Sequence, residues 1–336
     1  MSKRKNSRRH NNVLLMIMRI AVVILIFILL IYLGMFNLKK LQKMIFSLWV
    51  IPALICFLTS MIVLTYRWQI LLNAVNIKPG IRTLMRLTFI GYSFNTVIPG
   101  GVGGDLIKSY YVIKWQNNNR TASVTTIVLD RVLGIYTMFL TAAIAVGGTL
   151  LLMTHFNENI GQTGILLSLG YIVISLASLM FIGFMLCLNE RIQNSKLAKW
   201  VTTHSPGHRL INKVYSTVYS FRERKGALVK AIMISFLAQL SLIVGMYCIG
   251  QAAEETVLLF KHFLFLAPVA LILNAIPIGP GGIGSGEALV EWLFMLFGSN
   301  NGSEVMAVLH IAFIFFSGIG FTLYIRGKSE FAQIRK

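Results

Sequence analysis

The sequence predicts an all-α polytopic membrane protein with six transmembrane helices and two re-entrant hairpins of broken helices, arranged as an inverted-topology repeat. Three observations predict this fold. The chain is 56% hydrophobic and only 12% charged, with 336 residues in all. Apolar runs long enough to span a bilayer recur along it. Two similar glycine-rich breaks interrupt two further apolar regions.

The chain begins with a basic segment, 1–12, that we expect in the cytoplasm. The apolar run that follows continues from Val13 to about Phe36. A signal peptide has an apolar core of roughly 7–15 residues and a small-residue cleavage site, and this run fits neither description. We therefore expect a retained first span.

Six apolar runs have the length of a transmembrane helix. They cover residues 13–36, 44–66, 122–153, 164–188, 229–250 and 305–325. Two further regions, 83–115 and 258–298, are interrupted by proline and glycine, so neither half of each is long enough to cross a bilayer alone. We interpret these two regions as hairpins that enter and leave the membrane on the same side.

The positions of the basic residues predict the orientation. If the N-terminus is cytoplasmic, most of the 31 Lys and Arg residues fall in cytoplasmic segments, as is typical of membrane proteins. Both termini, including the tail 326–336, are then cytoplasmic, and Arg67 lies in a cytoplasmic loop after the second span. The basic residues that fall outside are Lys39, Lys40, Lys43 and Lys261.

Each half of the chain repeats one order: two spans, a hairpin and another span. The first repeat covers 13–153 and the second 164–325, and the second begins on the opposite side of the membrane. Such inverted repeats, with broken helices near the midplane, are typical of secondary transporters. For the polar segment 189–228, an amphipathic helix on the cytoplasmic surface and a solvated connector are equally consistent with the sequence.

The two breaks, Asn95–Lys108 (NTVIPGGVGGDLIK) and Asn274–Glu287 (NAIPIGPGGIGSGE), form the candidate functional site. Proline and glycine there predict a non-helical turn between two half-helices. At membrane depth such backbone is tolerated only where protein buries it or where it lines a wet cavity. Free N–H groups at a half-helix start suit an anion such as a phosphate headgroup. The candidate glycines are Gly100, Gly101, Gly103, Gly104, Gly281, Gly282 and Gly284.

Acidic side chains follow both breaks. Asp105 and Glu287 each open a half-helix, where an acid caps free N–H groups and meets the positive end of the helix dipole. The same acids could instead bind a cation or a proton. Lys108 lies one turn beyond Asp105, close enough to pair with it. Glu291 lies one turn beyond Glu287, and two acids so close could share a proton.

Asp130 and Arg131 lie inside the third span, where an ion needs a partner or water. In one interpretation Arg131 engages a lipid phosphate or Glu287, with Asp130 balancing its charge. In the other, the pair is structural and locks the third span to a hairpin. Asn95 and Asn274 precede the breaks, where we favour a structural role in pairing freed backbone groups.

Other classes of function fit the sequence less well. The net charge of +20 does not indicate nucleic-acid binding, because the basic residues lie between apolar runs. The three cysteines have no metal-binding spacing, and neither break matches a P-loop or a dinucleotide fingerprint. We therefore expect no cofactor, no metal and no enzymatic activity. The lone His310 is interpreted as a packing residue.

The chain resembles the flippase-like membrane region of the lysylphosphatidylglycerol synthases. The pattern N-x-x-x-P-G-G-x-G-G-D-x-x-K at 95–108, the Asp130-Arg131 pair and P-G-G-I-G-S-G-E at 280–287 carry the resemblance. Lys108 stands where that family more often has arginine, and Asp130 where it often has glutamate. The soluble aminoacyl transferase that follows this region in full synthases has no counterpart after Arg326, so lysine transfer is not expected.

The resemblance implies residence in the bacterial inner membrane and movement of a lipid between leaflets. We therefore predict a flippase-like translocase for a phospholipid or a polyprenyl-phosphate-linked lipid, with anionic membrane lipids as its partners. The alternative is a non-transporting membrane partner of an envelope lipid or glycolipid biosynthesis enzyme. In that case charge substitutions in the breaks are harmless, whereas changes in 189–228 abolish function.

Overall fold

The computed structural model describes a set of helices and, within the ranges it covers, no strand. Those ranges are 25–26, 28–97, 103–115, 120–156, 163–188, 216–274 and 282–333. The first half contains α1 (Leu38–Ile45), α2 (Val50–Ala74), α3 (Ile81–Val97), α4 (Gly103–Trp115) and α5 (Arg120–Phe156). The second half contains α6 (Thr163–Leu188), α7 (Lys225–Ala252), α8 (Phe260–Asn274), α9 (Ser285–Met295) and α10 (Gly302–Gln333).

Within the described ranges, four helical stretches are long and apolar enough to cross a membrane. They are Val50–Ala74, Ser123–Gly148, Arg222–Ala252 and Gly302–Arg326, and they coincide with four of the six predicted spans. A fifth predicted span, 164–188, coincides with α6, whose part from Gly170 to Leu186 is apolar but shorter. Most of the first predicted span, 13–36, lies outside the described residues. The count of six spans therefore stays a prediction.

Both predicted hairpin regions consist of two short helices. In the first region α3 has 17 residues and α4 has 13, and in the second α8 has 15 and α9 has 11. Each is shorter than the roughly 20 residues that cross a bilayer. The two helices of each region pack against each other. Their entry from one side of the membrane stays a prediction, because the intervening residues 98–102 and 275–281 lie outside the described part.

Corresponding helices of the two halves pack in corresponding ways. α2 of the first half packs along α7 of the second. α3 packs on α10 while α8 packs on α5, and α4 packs on α5 while α9 packs on α10. Exchanging the halves converts the α2–α7 pair into itself and each of the other pairs into another of them. This pattern supports the predicted repeat, and the opposite orientation of the halves stays a prediction.

The largest hydrophobic cluster lies where α2 meets the second half of the chain. Phe57 of α2 is fully buried against α7, with 1% of its surface exposed. A Cβ atom on Gly245 of α7 would lie 2.5 Å from this ring. Only glycine at this position lets the two helices approach so closely.

Two local features differ from the sequence-based expectations. The expectation that Arg67 lies in a cytoplasmic loop is wrong, because α2 continues to Ala74 and buries Arg67 to 4% exposure. The connector after the first span contains a short helix, α1, that the sequence did not indicate. Of the polar segment 189–228 only residues 216–228 are described, so its amphipathic helix stays a prediction.

Candidate functional site

Asn95 joins the two arms of the first break. Its side-chain oxygen accepts a 2.7 Å hydrogen bond from the N–H of Gly104, in the first turn of α4. This bond fits the structural role expected for Asn95. A Cβ atom on Gly104 would lie 2.6 Å from the carbonyl oxygen of Gly91 in α3. Gly104 therefore allows the arms to pack closely, and its N–H already has a partner, so this glycine does not offer the free donor expected for an anion.

Lys108 lies one turn further along α4. Its Nζ lies 4.8 Å from the centre of the Trp68 ring in α2, which is a cation–π contact. The expected pair between Lys108 and Asp105 is wrong, because Asp105 binds Arg131 of α5 instead. Among the described residues no carboxylate lies within ion-pairing distance of Lys108.

Two ion pairs surround Lys108. The Arg131–Asp105 pair is partly open to solvent, with side-chain exposures of 40% and 29%. The second pair is more deeply buried: the Arg67 Nε donates to Asp130 Oδ1 at 2.7 Å, and the two side chains are 5% and 17% exposed. Arg67 Nη1 also donates to Ser235 Oγ of α7 at 2.9 Å.

The expected contact between Arg131 and Glu287 is wrong, because Glu287 binds His310. The structural interpretation of Arg131 fits its observed pair with Asp105, which links the third predicted span to a hairpin. Asp130 balances Arg67 and not Arg131.

We call Arg67, Asp105, Lys108, Asp130 and Arg131 the first-half charge cluster. With every group ionised, three cationic side chains meet two carboxylates there, which leaves one positive charge in excess. The cluster lies among apolar helices, where an uncompensated charge is costly. An anionic ligand would remove that excess.

The second break is built around Glu287, which is 1% exposed. Its Oε2 accepts a 2.7 Å hydrogen bond from the N–H of Gly284, so Glu287 caps the start of α9. Its Oε1 lies 2.8 Å from Nδ1 of His310 in α10. The other ring nitrogen of His310 lies 3.1 Å from Oδ1 of Asn274 in α8. His310 is therefore not only a packing residue, because it links α8, α9 and α10.

Two glycines of the second break adopt conformations that favour glycine. Gly282 and Gly284 have φ angles of 84° and 88°, in the region where other residues are strained. A Cβ atom on Gly282 would also collide with the Asn274 side chain. Glycine at position 282 therefore lets the chain pass close to Asn274, whose side chain pairs with His310.

Buried acids continue from the second break toward α1. Glu291, one turn beyond Glu287, is 1% exposed, and its Oε2 accepts a 2.8 Å hydrogen bond from the N–H of Ser303. Ser303 Oγ lies 2.9 Å from Oε2 of Glu304, and the N–H of Asn37 donates to Oε1 of Glu304 at 2.7 Å. We call Glu287, Glu291 and Glu304 the acid row.

A separate acid holds the α7–α8 connection. Burial raises the pKa of Glu255, but hydrogen bonds from the Ser299 hydroxyl and from the N–H groups of Leu258 and Val257 outweigh burial and hold this pKa below its ordinary value. Asn301 also donates to Glu255 and accepts from Lys40 of α1. This network attaches α1 to the two neighbouring connections of the second half.

Comparison with known protein families shows to which family the chain belongs. A model of the family described as the lysylphosphatidylglycerol synthase TM region matches residues 16–320. The chain belongs to this family. The match covers both breaks, both ion pairs and the acid row.

Similar members of the family occur in archaea. A UPF0104 membrane protein of Methanothermobacter thermautotrophicus is 25% identical over 253 residues, which cover 72% of this chain and 73% of the relative. A UPF0104 membrane protein of Pyrococcus horikoshii is 23% identical over 291 residues, with coverages of 81% and 84%. No solved structure gives a significant match. The chain is thus a membrane protein of the lysylphosphatidylglycerol synthase TM family.

In this family member the predicted site residues divide into two groups. Asn95, Asp105 and Lys108 stand with the Asp130–Arg131 pair around α4, together with the buried glycines Gly103 and Gly104. Asn274, Glu287 and Glu291 stand around α9, together with Gly282 and Gly284. Gly100, Gly101 and Gly281 lie outside the described residues.

The sequence did not indicate four further members of these two groups. Arg67, His310 and Ser303 each bind a predicted residue from another helix or connection, and Glu304 binds Ser303. One signal was present for Arg67, since an acid inside a span needs a cation and Asp130 had no assigned partner other than Arg131.

Proposed function

We propose that this protein is a lipid translocase that moves a phospholipid or a polyprenyl-phosphate-linked lipid between membrane leaflets, without transforming it chemically. We place it in the bacterial inner membrane, as the family resemblance implies, with both termini in the cytoplasm, as the distribution of basic residues predicts. One observation carries the proposal: the first-half charge cluster has an excess positive charge among apolar helices. A phosphate headgroup supplies the missing negative charge, and lipid tails fit the apolar surface around it.

Lys108 is the group we assign to first contact with the phosphate. Its ammonium contacts the face of Trp68 at 4.8 Å, and no carboxylate of the described residues pairs with it, so it stays available to an anion. Arg131 is the second candidate, because 40% of its side chain is exposed and a guanidinium can bind phosphate through two parallel hydrogen bonds. Asp105 holds Arg131 in place until phosphate binds.

The buried ion pair between Arg67 and Asp130 supports this site. Arg67 donates to the side chain and, from Nη2 at 2.9 Å, to the backbone oxygen of Asp130. Because Asp130 compensates the charge of Arg67, this pair only positions the neighbouring groups. Lys108 is then the cation that we expect to bind the anion. Corresponding packing of the halves supports alternating access, in which one half moves relative to the other.

The test is lipid movement in reconstituted vesicles that carry a fluorescent phospholipid in one leaflet. A charge-assisted hydrogen bond contributes about 1.5–3 kcal/mol, so Lys108→Met should slow redistribution roughly 10- to 100-fold. Lys108→Arg should retain most of the rate, since the family often has arginine there. Lys43→Met is the matched control, because Lys43 is 68% exposed and pairs with Glu254, which is not part of the cluster.

The alternative function makes the opposite prediction. A non-transporting partner of an envelope biosynthesis enzyme would show equal redistribution with and without the protein. Its cellular function would also survive Lys108→Met. Either result would refute translocation by the first-half charge cluster.

A further inference from the structure

The acid row of the second half has no role in phosphate binding, because negative groups repel a phosphate. It is nevertheless buried, with Glu287, Glu291 and Glu304 only 1%, 1% and 2% exposed. It begins beside Asn37, an exposed residue that donates to Glu304, and it ends at the second break. Buried acids in such a position need compensation or a proton.

Glu291 shows where a proton is needed. Its Oε2 accepts from Ser303, but its Oε1 is buried and has no hydrogen-bond partner among the described residues. Burying an ionised carboxylate with one oxygen that has no hydrogen-bond partner carries a large desolvation penalty. A proton on Glu291 removes the charge and with it most of that penalty.

Ser303 gives a second, independent indication. Its Oγ lies 2.5 Å from the carbonyl oxygen of Met35 and 2.9 Å from Oε2 of Glu304. A hydroxyl has one proton and can donate to only one of these oxygens. When Ser303 donates to Met35, the contact with Glu304 requires a proton on Glu304.

His310 occupies the inner end of the row. Its two ring nitrogens face two oxygens, Oε1 of Glu287 at 2.8 Å and Oδ1 of Asn274 at 3.1 Å. Two acceptors satisfy an imidazolium, in which both nitrogens carry a proton. Imidazole is also the side chain that gains and loses charge near neutral pH.

We propose that the acid row and His310 bind and conduct protons between the α1 surface and the second break, and that the proton is the ion coupled to lipid movement. This inference rests on the proposed function for its coupling, but not for its proton binding. The proton passes from Glu304 to the Ser303 hydroxyl, which also interacts with the Glu291 carboxyl, and so to Glu291, then to Glu287 and His310. His310 lies six residues after Glu304, about 9 Å along α10.

The carboxyl groups of Glu287 and Glu291 are the widest step in this path. One helical turn separates them, with Cβ atoms about 5–6 Å apart. A rotation of the Glu291 side chain, whose Oε1 is not tied to any described residue, shortens that step.

Other charged groups surround the row on each neighbouring element. Lys40 comes from α1 and reaches Asn301, and Glu255 comes from the α7–α8 connection and is bound by Ser299 and Asn301. Lys261 and His262 lie in the first turn of α8, where His262 Nδ1 accepts from the N–H of Leu259 at 2.9 Å. Glu255 has hydrogen bonds to both carboxylate oxygens, so it is the ionised counterpart of Glu291.

The first test measures proton binding without transport. Infrared spectroscopy of the whole protein in lipid at pH 7 should show the carbonyl band of a protonated carboxylic acid, shifted by deuterium exchange. Glu291→Gln should remove that band, and Glu255→Gln, the matched control, should leave it. If Glu291→Gln lowers the yield of folded protein, Glu304→Gln provides a second variant of the row, and it should reduce the same band. Absence of the band in the unsubstituted protein would overturn the proposal.

The second test measures coupling in vesicles with a fluorescent phospholipid and a pH difference of one unit. One proton moved per lipid allows the leaflet ratio to shift by up to about tenfold, because one pH unit is a tenfold difference in proton activity. Glu291→Gln should abolish the shift, and Glu255→Gln should retain it. Redistribution that ignores the pH difference, or that follows a sodium gradient instead, would overturn the coupling. No redistribution under any gradient would instead contradict the proposed function, while the infrared band still decides proton binding.

Discussion

The two halves of the molecule share the packing of the helices that flank their breaks but differ in the partner of the first acid. In the first half Asp105 of α4 binds Arg131 of α5. In the second half Glu287 of α9 binds His310 of α10, at the corresponding place in the packing. A guanidinium keeps its charge at every physiological pH, whereas an imidazole does not. The comparison indicates a common scaffold with a fixed-charge site in one half and a proton-responsive site in the other.

The largest expected effect on stability concerns the buried Arg67–Asp130 ion pair of the first half. Arg67→Met should lower the free energy of unfolding by about 3–5 kcal/mol, because it leaves Asp130 buried without a partner. Urea unfolding in detergent micelles, followed by circular dichroism, measures the change. The double variant Arg67→Met/Asp130→Leu should recover most of the loss. Equal instability of the single and double variants would show that packing around Arg67, and not charge, matters.

The shared scaffold should respond similarly in both halves. Gly104→Ala pushes α4 against the Gly91 backbone, and Gly282→Ala strains a residue with φ of 84° and crowds Asn274. We expect each to lower stability by about 1–3 kcal/mol. Gly318→Ala is the control, since a Cβ atom there meets nothing within 4 Å. Thermal melts measure the stability of each variant. If only one of the two substitutions lowered it, the two halves would not share the same scaffold.

Replacing the arginine partner of the first-half acid by histidine should make lipid binding depend on pH. Arg131→His gives the first half the pairing type of the second. Binding of an anionic lipid should then be near normal at pH 5.5 and fall about tenfold by pH 8, because a neutral imidazole no longer attracts phosphate. Lipid binding by native mass spectrometry or fluorescence titration at both values measures it. A pH-independent loss of binding would mean that Arg131 acts through shape alone.

The smallest expected effect lies at the α1 end of the second half. Hydrogen bonds hold the pKa of Glu255 below its ordinary value despite burial. Such a group stabilises the fold at pH values above its unfolded pKa, and this stabilisation disappears as the pH falls through the folded pKa. Between pH 7 and pH 3 the melting temperature should therefore fall by more for the unsubstituted protein than for Glu255→Gln. Parallel curves would show that Glu255 contributes no pH-dependent stability.

Local signals were enough to predict the breaks. Proline and glycine mark where α3 and α8 end, and Asn95 needed only a backbone partner nine residues away. Partners between distant helices could not be predicted in this way. Arg67 and Asp130 are 63 residues apart, and Glu287 and His310 are 23 apart on different helices. The helix α1 was missed because its eight residues, three of them lysines, look like a polar connector.

The site around Lys108 was only partly predictable for the same reason. Its spacing from Asp105 favoured a local pair, and nothing in the sequence indicated that Trp68 would receive the ammonium instead. Packing of α2 against α4 decides which of the two contacts forms.

The Arg67 guanidinium has a consequence for how the halves separate. Its two contacts with Asp130 stay within the first half, whereas its contact with Ser235 crosses to α7. Opening the molecule at this seam breaks a hydrogen bond from the guanidinium to a neutral hydroxyl, worth about 1.5–3 kcal/mol, and leaves the arginine with its counter-ion. The protein can therefore part along α2 and α7 without stranding a charge in the bilayer interior.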